Sequence, residues 1–149
     1  NYHQTNISKV LNIGSWEYLN KGNKVAILAT GSMVEVAMNS LDKITEKFNF
    51  NPTIINCRFI KPYDKNTLND IIKSHDLIIT MEEGALKGGF GSSILDYCKR
   101  DKIKVESMGI KDSYIEHGTR QELLDLVGLN TNSLINLIYD HINGSLGEN

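Results

Sequence analysis

The chain has 149 residues, 40% of them hydrophobic and 23% charged, with a net charge of −2 at pH 7. That is an ordinary globular composition and enough chain for one domain with one core. It carries no electrostatic footprint for nucleic acid, and no apolar run approaches the ~20 residues that cross a bilayer, so neither nucleic acid nor membrane is an expected partner.

Residues 1–14 read as a linker. The polar start, Asn1 to Asn6, has neither the apolar stretch of a signal peptide nor an initiator methionine, and is expected to have been cut from something longer. The surplus of Lys over Arg, with abundant Asn and Ile, reflects an AT-rich coding bias rather than a function. Ser15 to Leu19 predicts a short edge strand, and Lys21-Gly22-Asn23 a turn. Val25 to Ala29 is continuously apolar, as a strand buried on both faces should be. Thr30-Gly31-Ser32 then opens a helix, with Ser32 and Glu35 spaced as a capping box. Met33, Val36, Ala37, Ser40, Leu41, Ile44 and Phe48 recur along it at helical spacing. Asn51-Pro52 ends the connection, and Thr53 to Cys57 predicts a second inner strand.

The pattern repeats. Asp64 is placed to cap a helix carrying Leu68, Ile71 and Ile72 on one face, and His75 to close it. Leu77 to Met81 predicts a third inner strand. A glycine-rich loop, Gly84 to Gly91, leads into a helix with Ile94, Leu95 and Cys98. Ile103 to Met108 predicts a fourth strand. Thr119 and Glu122 form a second capping box for a helix that stops at Gly128. A last helix carries Leu134, Ile135, Leu137, Ile138 and Ile142 and is expected to end at Gly144. The domain is thus bounded at residues 15–143, with 144–149 as a tail. Strands alternating with helices imply an α/β fold: a mostly parallel sheet covered on both faces, in three α/β/α layers.

Ligands of such folds sit at the C-terminal ends of strands. Three segments occupy those ends: Thr30 to Ser32, Arg58 to Asp64, and Glu82 to Gly91. Gly88-Gly89-Phe90-Gly91 stands where a phosphate loop would lie, yet it matches neither G-x-G-x-x-G nor G-x-x-x-x-G-K, and Glu82 and Glu83 ahead of it would repel an anion. A tight turn with close helix packing is the reading preferred. Glu82 and Glu83 are adjacent on an extended segment and point to opposite faces, so they are poorly placed to share a substrate. Pairing with Arg58 or Lys61, or capping of backbone donors, is expected instead. Arg58 and Lys61, with the rigid Pro62, come directly after a strand where a phosphate could be held, but an ion pair with Asp64, Glu82 or Glu83, or with another domain, is the reading preferred. His117, near Asp112 and Glu116, is expected to fix a loop or an interface. Cys57 and Cys98 lie in apolar runs and are expected as reduced core thiols, and the closely spaced ligands of a zinc site are missing. Ser32, Ser92 and Ser93 do not stand in a G-x-S-x-G elbow, so serine hydrolase chemistry has no support.

Taken in order, Val25 to Ser32, Arg58-Phe59-Ile60-Lys61-Pro62-Tyr63-Asp64, Thr80 to Gly84 with Gly88 to Gly91, and Asp112 to Gly118 resemble the C-terminal domain of transketolase-like enzymes. With Gly128-Leu129 the set is most similar to the 1-deoxy-D-xylulose 5-phosphate synthase family, over roughly residues 10–142. Tyr63 departs from that family, which more often has Leu there.

The resemblance implies five strands in the order 1-3-2-4-5 with the first antiparallel. It implies a transferase that joins pyruvate to glyceraldehyde 3-phosphate, with thiamine diphosphate and Mg²⁺ held by the preceding domains of the same polypeptide, in a homodimer. The Gly-Asp-Gly…Asn motif for diphosphate and magnesium is absent here, so no catalytic, cofactor-binding or metal residue is carried over. Arg58, Lys61, Asp64, Glu82, Glu83, Gly88, Gly89, Gly91 and His117 stay as candidate strand-end or interdomain residues. In a eukaryote the family implies a plastid-type location, otherwise a cytoplasmic one. The alternatives are the tail of a 2-oxo acid dehydrogenase β subunit, a transketolase, or a free-standing module binding a small anion at Gly84 to Gly91.

Overall fold

The computed structural model describes residues 10–85, 88–110 and 118–146. Five strands alternate with helices: β1 (Glu17–Asn20), β2 (Lys24–Ala29), α1 (Met33–Phe48), β3 (Thr53–Asn56), α2 (Lys65–Ser74), β4 (His75–Ala85), α3 (Phe90–Cys98), β5 (Lys104–Ile110), α4 (Arg120–Leu126) and α5 (Thr131–Leu146). They form one sheet in the order β1-β3-β2-β4-β5. β1 runs antiparallel to β3, and the other pairings are parallel. The strand order and the antiparallel edge are those that the resemblance implied.

The apolar run of β2 is buried on both sides because alternate residues enter two cores. Val25, Ile27 and Ala29 join Leu77, Ile79 and Met81 of β4 under α1, α4 and α5. Ala26 and Leu28 join Ile78, with Leu68 and Ile71 of α2 and Phe90 and Ile94 of α3, on the other face. Each fully buried Ile or Leu stabilises the fold by about 1.5–3 kcal/mol, so these two clusters outweigh any surface ion pair. β3 lies on one side of β2 and β4 on the other, so the crossover direction reverses between β2 and β4. That reversal places a switch point at the C-terminal strand ends.

Helix ends follow local chemistry, with two corrections. Asp64 caps α2, its Oδ1 accepting from the Thr67 N–H at 3.0 Å. Thr119 and Glu122 make the expected capping box on α4. Gly128, at φ 77°, ends the α4 segment, where Leu129 N donates to Leu124 O and Gly128 N to Asp125 O. Ser32, however, makes no side-chain cap, because its backbone is already helical (φ −66°, ψ −18°) rather than extended. The first donors of α1 go to the turn before it, Met33 N to Thr30 O and Val34 N to Gly31 O. Gly144 does not end α5, which continues to Leu146, so the boundary expected at residue 143 falls inside a helix. With nothing within 4 Å of its missing Cβ, Gly144 occupies an open helical position. Among the described residues no helix is long and apolar enough to cross a membrane.

Candidate functional site: the strand-end edge

The ends of β2, β3 and β4 share one edge of the sheet. On the β3 side the segment after the strand is tied to the chain entering the domain. Trp16 N donates to Asp64 Oδ2 and Trp16 Nε1 to the Phe59 carbonyl, both at 2.9 Å. Arg58 Nη2 donates to the Ser15 hydroxyl at 3.2 Å, and its guanidinium lies 3.8 Å from the Glu17 carboxylate. Arg58 also reaches the Ser15 carbonyl, at 3.4 Å from both Nε and Nη2. The Trp16 ring meets Phe90, the first residue of α3, edge-on at 5.9 Å.

The expected pairing of Arg58 with Asp64, Glu82 or Glu83 is therefore not what forms. The lead-in supplies nearer partners: the carboxylate of Glu17 for Arg58, and the Trp16 N–H for Asp64. Lys61 is exposed and has no ion pair among the described residues. Partial burial alone would raise the Asp64 carboxyl, but the N–H groups of Thr67 and Trp16 outweigh it and hold the pKa below the ordinary value.

On the β4 side the two glutamates do point apart. Glu83 is exposed and pairs with Arg120 of α4. Glu82 is 4% exposed, and its Oε2 accepts from the Gly91 N–H at 3.2 Å, inside the first turn of α3. Its Oε1 is buried without a hydrogen-bond partner among the described residues. Burial pushes the Glu82 carboxyl up, only partly offset by the N–H groups of Gly91 and Phe90. Beneath it, Thr80 Oγ1 donates to Ser107 Oγ at 2.9 Å, joining β4 to β5.

The glycines divide by role. Gly88 takes the left-handed conformation, φ 75°, which a tight turn demands. Gly89, extended, stands just ahead of α3. Gly91 belongs to the helix rather than to the loop. A Cβ there would lie 2.6 Å from both Thr80 Oγ1 and Ser107 Oγ, so close approach of α3 to the sheet requires glycine.

Around Thr30 to Ser32 and Asn56 to Arg58 lies an open hollow of about 670 Å³, bordered also by Met38 and Ile60. The Cys57 thiol, beside it, is driven well up by burial and then by Asp64, and Cys98 is pushed up to about 11 by burial and Asp101. Both are free, buried thiols, as expected, and protonated at neutral pH they are poor nucleophiles and ligands. No group of three or more His, Cys, Asp or Glu among the described residues is arranged to hold a metal. His75 sits at the opposite edge. It closes α2 through its N–H to Ile71 O, and its ring lies 2.8 Å from both Thr53 Oγ1 and Ser74 Oγ. His117 lies outside the described residues, as does most of the Asp112 to Gly118 motif. What sequence reasoning missed was Trp16, whose signal was a sole tryptophan immediately ahead of an edge strand, and the Glu83–Arg120 pair.

The profile of the family described as "Transketolase, C-terminal domain" matches residues 14–134. A 1-deoxy-D-xylulose-5-phosphate synthase of Geobacillus sp. (strain WCH70) is 38% identical over 133 residues, covering 87% of this chain and 21% of the relative. The synthase of Bacillus cereus (strain AH187) is 36% identical over 143 residues, covering 94% of this chain and 22% of the relative. The chain thus spans about a fifth of the length of these relatives. Among solved structures, a split-gene transketolase described as an inactive β4 tetramer superposes with a TM-score of 0.79 at 24% identity, over 87% of this chain and 43% of that one. The transketolase of Campylobacter jejuni gives 0.61 at 21% identity, over 85% and 18% of the two chains. At these identities the structures speak for the fold alone.

Proposed function

This chain belongs to the transketolase C-terminal domain family, and from that premise we propose that it serves as the C-terminal domain of a 1-deoxy-D-xylulose 5-phosphate synthase, contributing architecture rather than catalytic groups. The observation that carries the reading is the 36–38% identity to such synthases, sustained over 87–94% of the chain. That favours the synthase over a 2-oxo acid dehydrogenase β subunit.

The proposed parent is a transferase joining pyruvate and glyceraldehyde 3-phosphate, with the product feeding isoprenoid, thiamine and pyridoxal synthesis. Thiamine diphosphate with Mg²⁺ would supply the carbon nucleophile for that chemistry. The residues of this chain do not fit the group: the sequence has no Gly-Asp-Gly motif, and the described carboxylates and histidines form no metal cluster. No step is therefore assigned to this domain.

Its own side chains do something different. Arg58 and Asp64 hold the entering chain, Glu82 and Gly91 hold α3 against β4, and Glu83 with Arg120 ties α4 to the same edge. An edge so occupied suits packing against the preceding domains of a homodimeric enzyme, with the exposed Lys61, unpaired among the described residues, available to an interdomain carboxylate. A domain that begins at residue 15 and runs through the end of α5, and a plastid-type location for a eukaryotic source, belong to the same proposal, although the relatives named above are bacterial.

The test is a chimera in which this chain replaces the matching segment of the Bacillus cereus synthase. A folded chimera should form 1-deoxy-D-xylulose 5-phosphate at no less than about a tenth of the parental rate. A dimeric, cofactor-loaded chimera with no activity would contradict the assignment.

A further inference from the structure

We propose that residues 14–17 form a strap latched across the strand-end edge by the segment 58–64, and that the strap opens as a unit while the sheet stays folded. Every residue of the strap touches that one segment. Gly14, at φ 81°, lies so close to Pro62 that a Cβ would stand 3.2 Å from Pro62 Cγ. Ser15 receives Arg58, Trp16 donates to Phe59 O and Asp64 Oδ2, and Glu17 faces the Arg58 guanidinium. The latch is uneven. The two Trp16 bonds are 2.9 Å, whereas the Arg58 contacts run from 3.2 to 3.8 Å. The Trp16 bonds sit near the ordinary N–H···O length of about 2.9–3.0 Å, whereas the Arg58 contacts lie at or beyond the long end of the range.

Three features make separate opening cheaper than unfolding. Ser15 and Trp16 belong to no strand, so no ladder bonds hold them. Glu17 is the first residue of the edge strand β1, paired there with Asn56, and the ladder beyond it is irregular between Tyr18 and Asn20. Upstream, Val10 and Ile13 are 88% and 80% exposed, so the burial of the lead-in rests on Trp16, which is 6% exposed. Opening then withdraws Trp16 from the margin of the core beneath α2 and α3, with its Phe90 contact and two short bonds, while the aliphatic residues of that core and the whole of the other core persist. Asp64 is the shared element: one oxygen caps α2 and the other holds the strap. Opening would uncover Phe90, Asp64 and Arg58 together, so the strap governs access to the edge and the direction from which the chain enters the domain. None of this depends on the enzymatic reading, and the test below uses no enzymatic activity.

Trp16 is the only tryptophan, so its fluorescence reports the strap alone. In Asp64→Ser the hydroxyl keeps the α2 cap, as serine is a strong N-cap, but the oxygen facing Trp16 is lost. Acrylamide quenching of Trp16 should rise at least about threefold with an unchanged far-UV circular dichroism spectrum. Equal quenching in the folded variant and the parent would overturn the proposal. Hydrogen exchange of the unaltered chain gives an independent reading should the variant fail to fold. The Trp16 indole N–H should exchange at least about tenfold faster than the amides of Ile27 and Ile79, and exchange at the same rate as those amides would overturn the strap.

Discussion

Asp64 and Glu82 do the same job at two places on one edge, and they do it under opposite conditions. Asp64 comes after β3 and Glu82 lies near the end of β4, and each accepts an N–H from the first turn of the next helix, Thr67 in α2 and Gly91 in α3. Asp64 is partly exposed and its second oxygen takes the Trp16 N–H, so its charged form is favoured and its pKa falls. Glu82 is buried, its second oxygen has no hydrogen-bond partner among the described residues, and its pKa rises. Position at a helix start does not by itself decide the charge state of a carboxylate. The count of donors against the degree of desolvation does.

Substitutions at the two helix starts should separate these cases. The largest effect is expected at Gly91→Ala, where the new methyl meets Thr80 and Ser107 at 2.6 Å. Such overpacking costs about 1–3 kcal/mol. In a chain of this size that corresponds to a fall in Tm of several degrees, taking about 2–4 °C per kcal/mol. Gly88→Ala, with nothing in the way but a φ of 75° to maintain, should lose about 1 kcal/mol. If thermal denaturation ranks Gly88 above Gly91, close packing of α3 is not what that glycine provides.

Next in size is Asp64→Ala, expected to lose about 1–2 kcal/mol in urea denaturation by uncapping α2 and freeing Trp16. The matching change Glu82→Gln should leave stability at pH 7 unchanged or higher, since it removes a buried group whose ionisation is disfavoured. A loss at Glu82 as large as that at Asp64 would erase the contrast.

The pH dependence sharpens it further. The folded pKa of Asp64 is depressed, so its stabilising contribution is present above its unfolded value, about 4, and is lost as pH falls through the lower folded value. The folded pKa of Glu82 is raised. Its contribution is complete below the unfolded value, about 4.3, and is lost as pH rises through the higher folded value. Stability measured against pH should therefore lose its acid-side slope in Asp64→Asn and its slope above that range in Glu82→Gln. The smallest effect belongs to Arg58→Ala, about 0–1 kcal/mol, because its contacts are long and partly solvated.

The sheet was legible because Val25 to Ala29 of β2 and Leu77 to Ile79 of β4 are unbroken apolar runs, as doubly covered strands sustain, and because Asp64, Thr119 and Gly128 punctuate helices by local chemistry. Ser32 misled because a capping-box spacing says nothing about whether the cap residue is extended, and here it is not. Gly144 misled because a glycine in a helix costs only about 1 kcal/mol, which flanking helical residues override. At the edge, the backbone capping open to Glu82 and the helix cap expected of Asp64 both form, whereas the ion pairs expected of Arg58 with Asp64, Glu82 or Glu83 do not. The one sign that the lead-in folds back over the segment after β3 is the sole tryptophan ahead of the edge strand, and it does not name the partners that Ser15, Trp16 and Glu17 find there. The tight turn at Gly88 and the close packing at Gly91 were both expected, but which glycine did which depended on where α3 begins.

The central claim is that this domain supplies architecture and carries no cofactor site of its own. Calorimetric titration of thiamine diphosphate with Mg²⁺ into the chain tests it most directly. No saturable heat is expected at millimolar ligand, whereas binding in the micromolar range would contradict the account and place cofactor-binding residues in this domain.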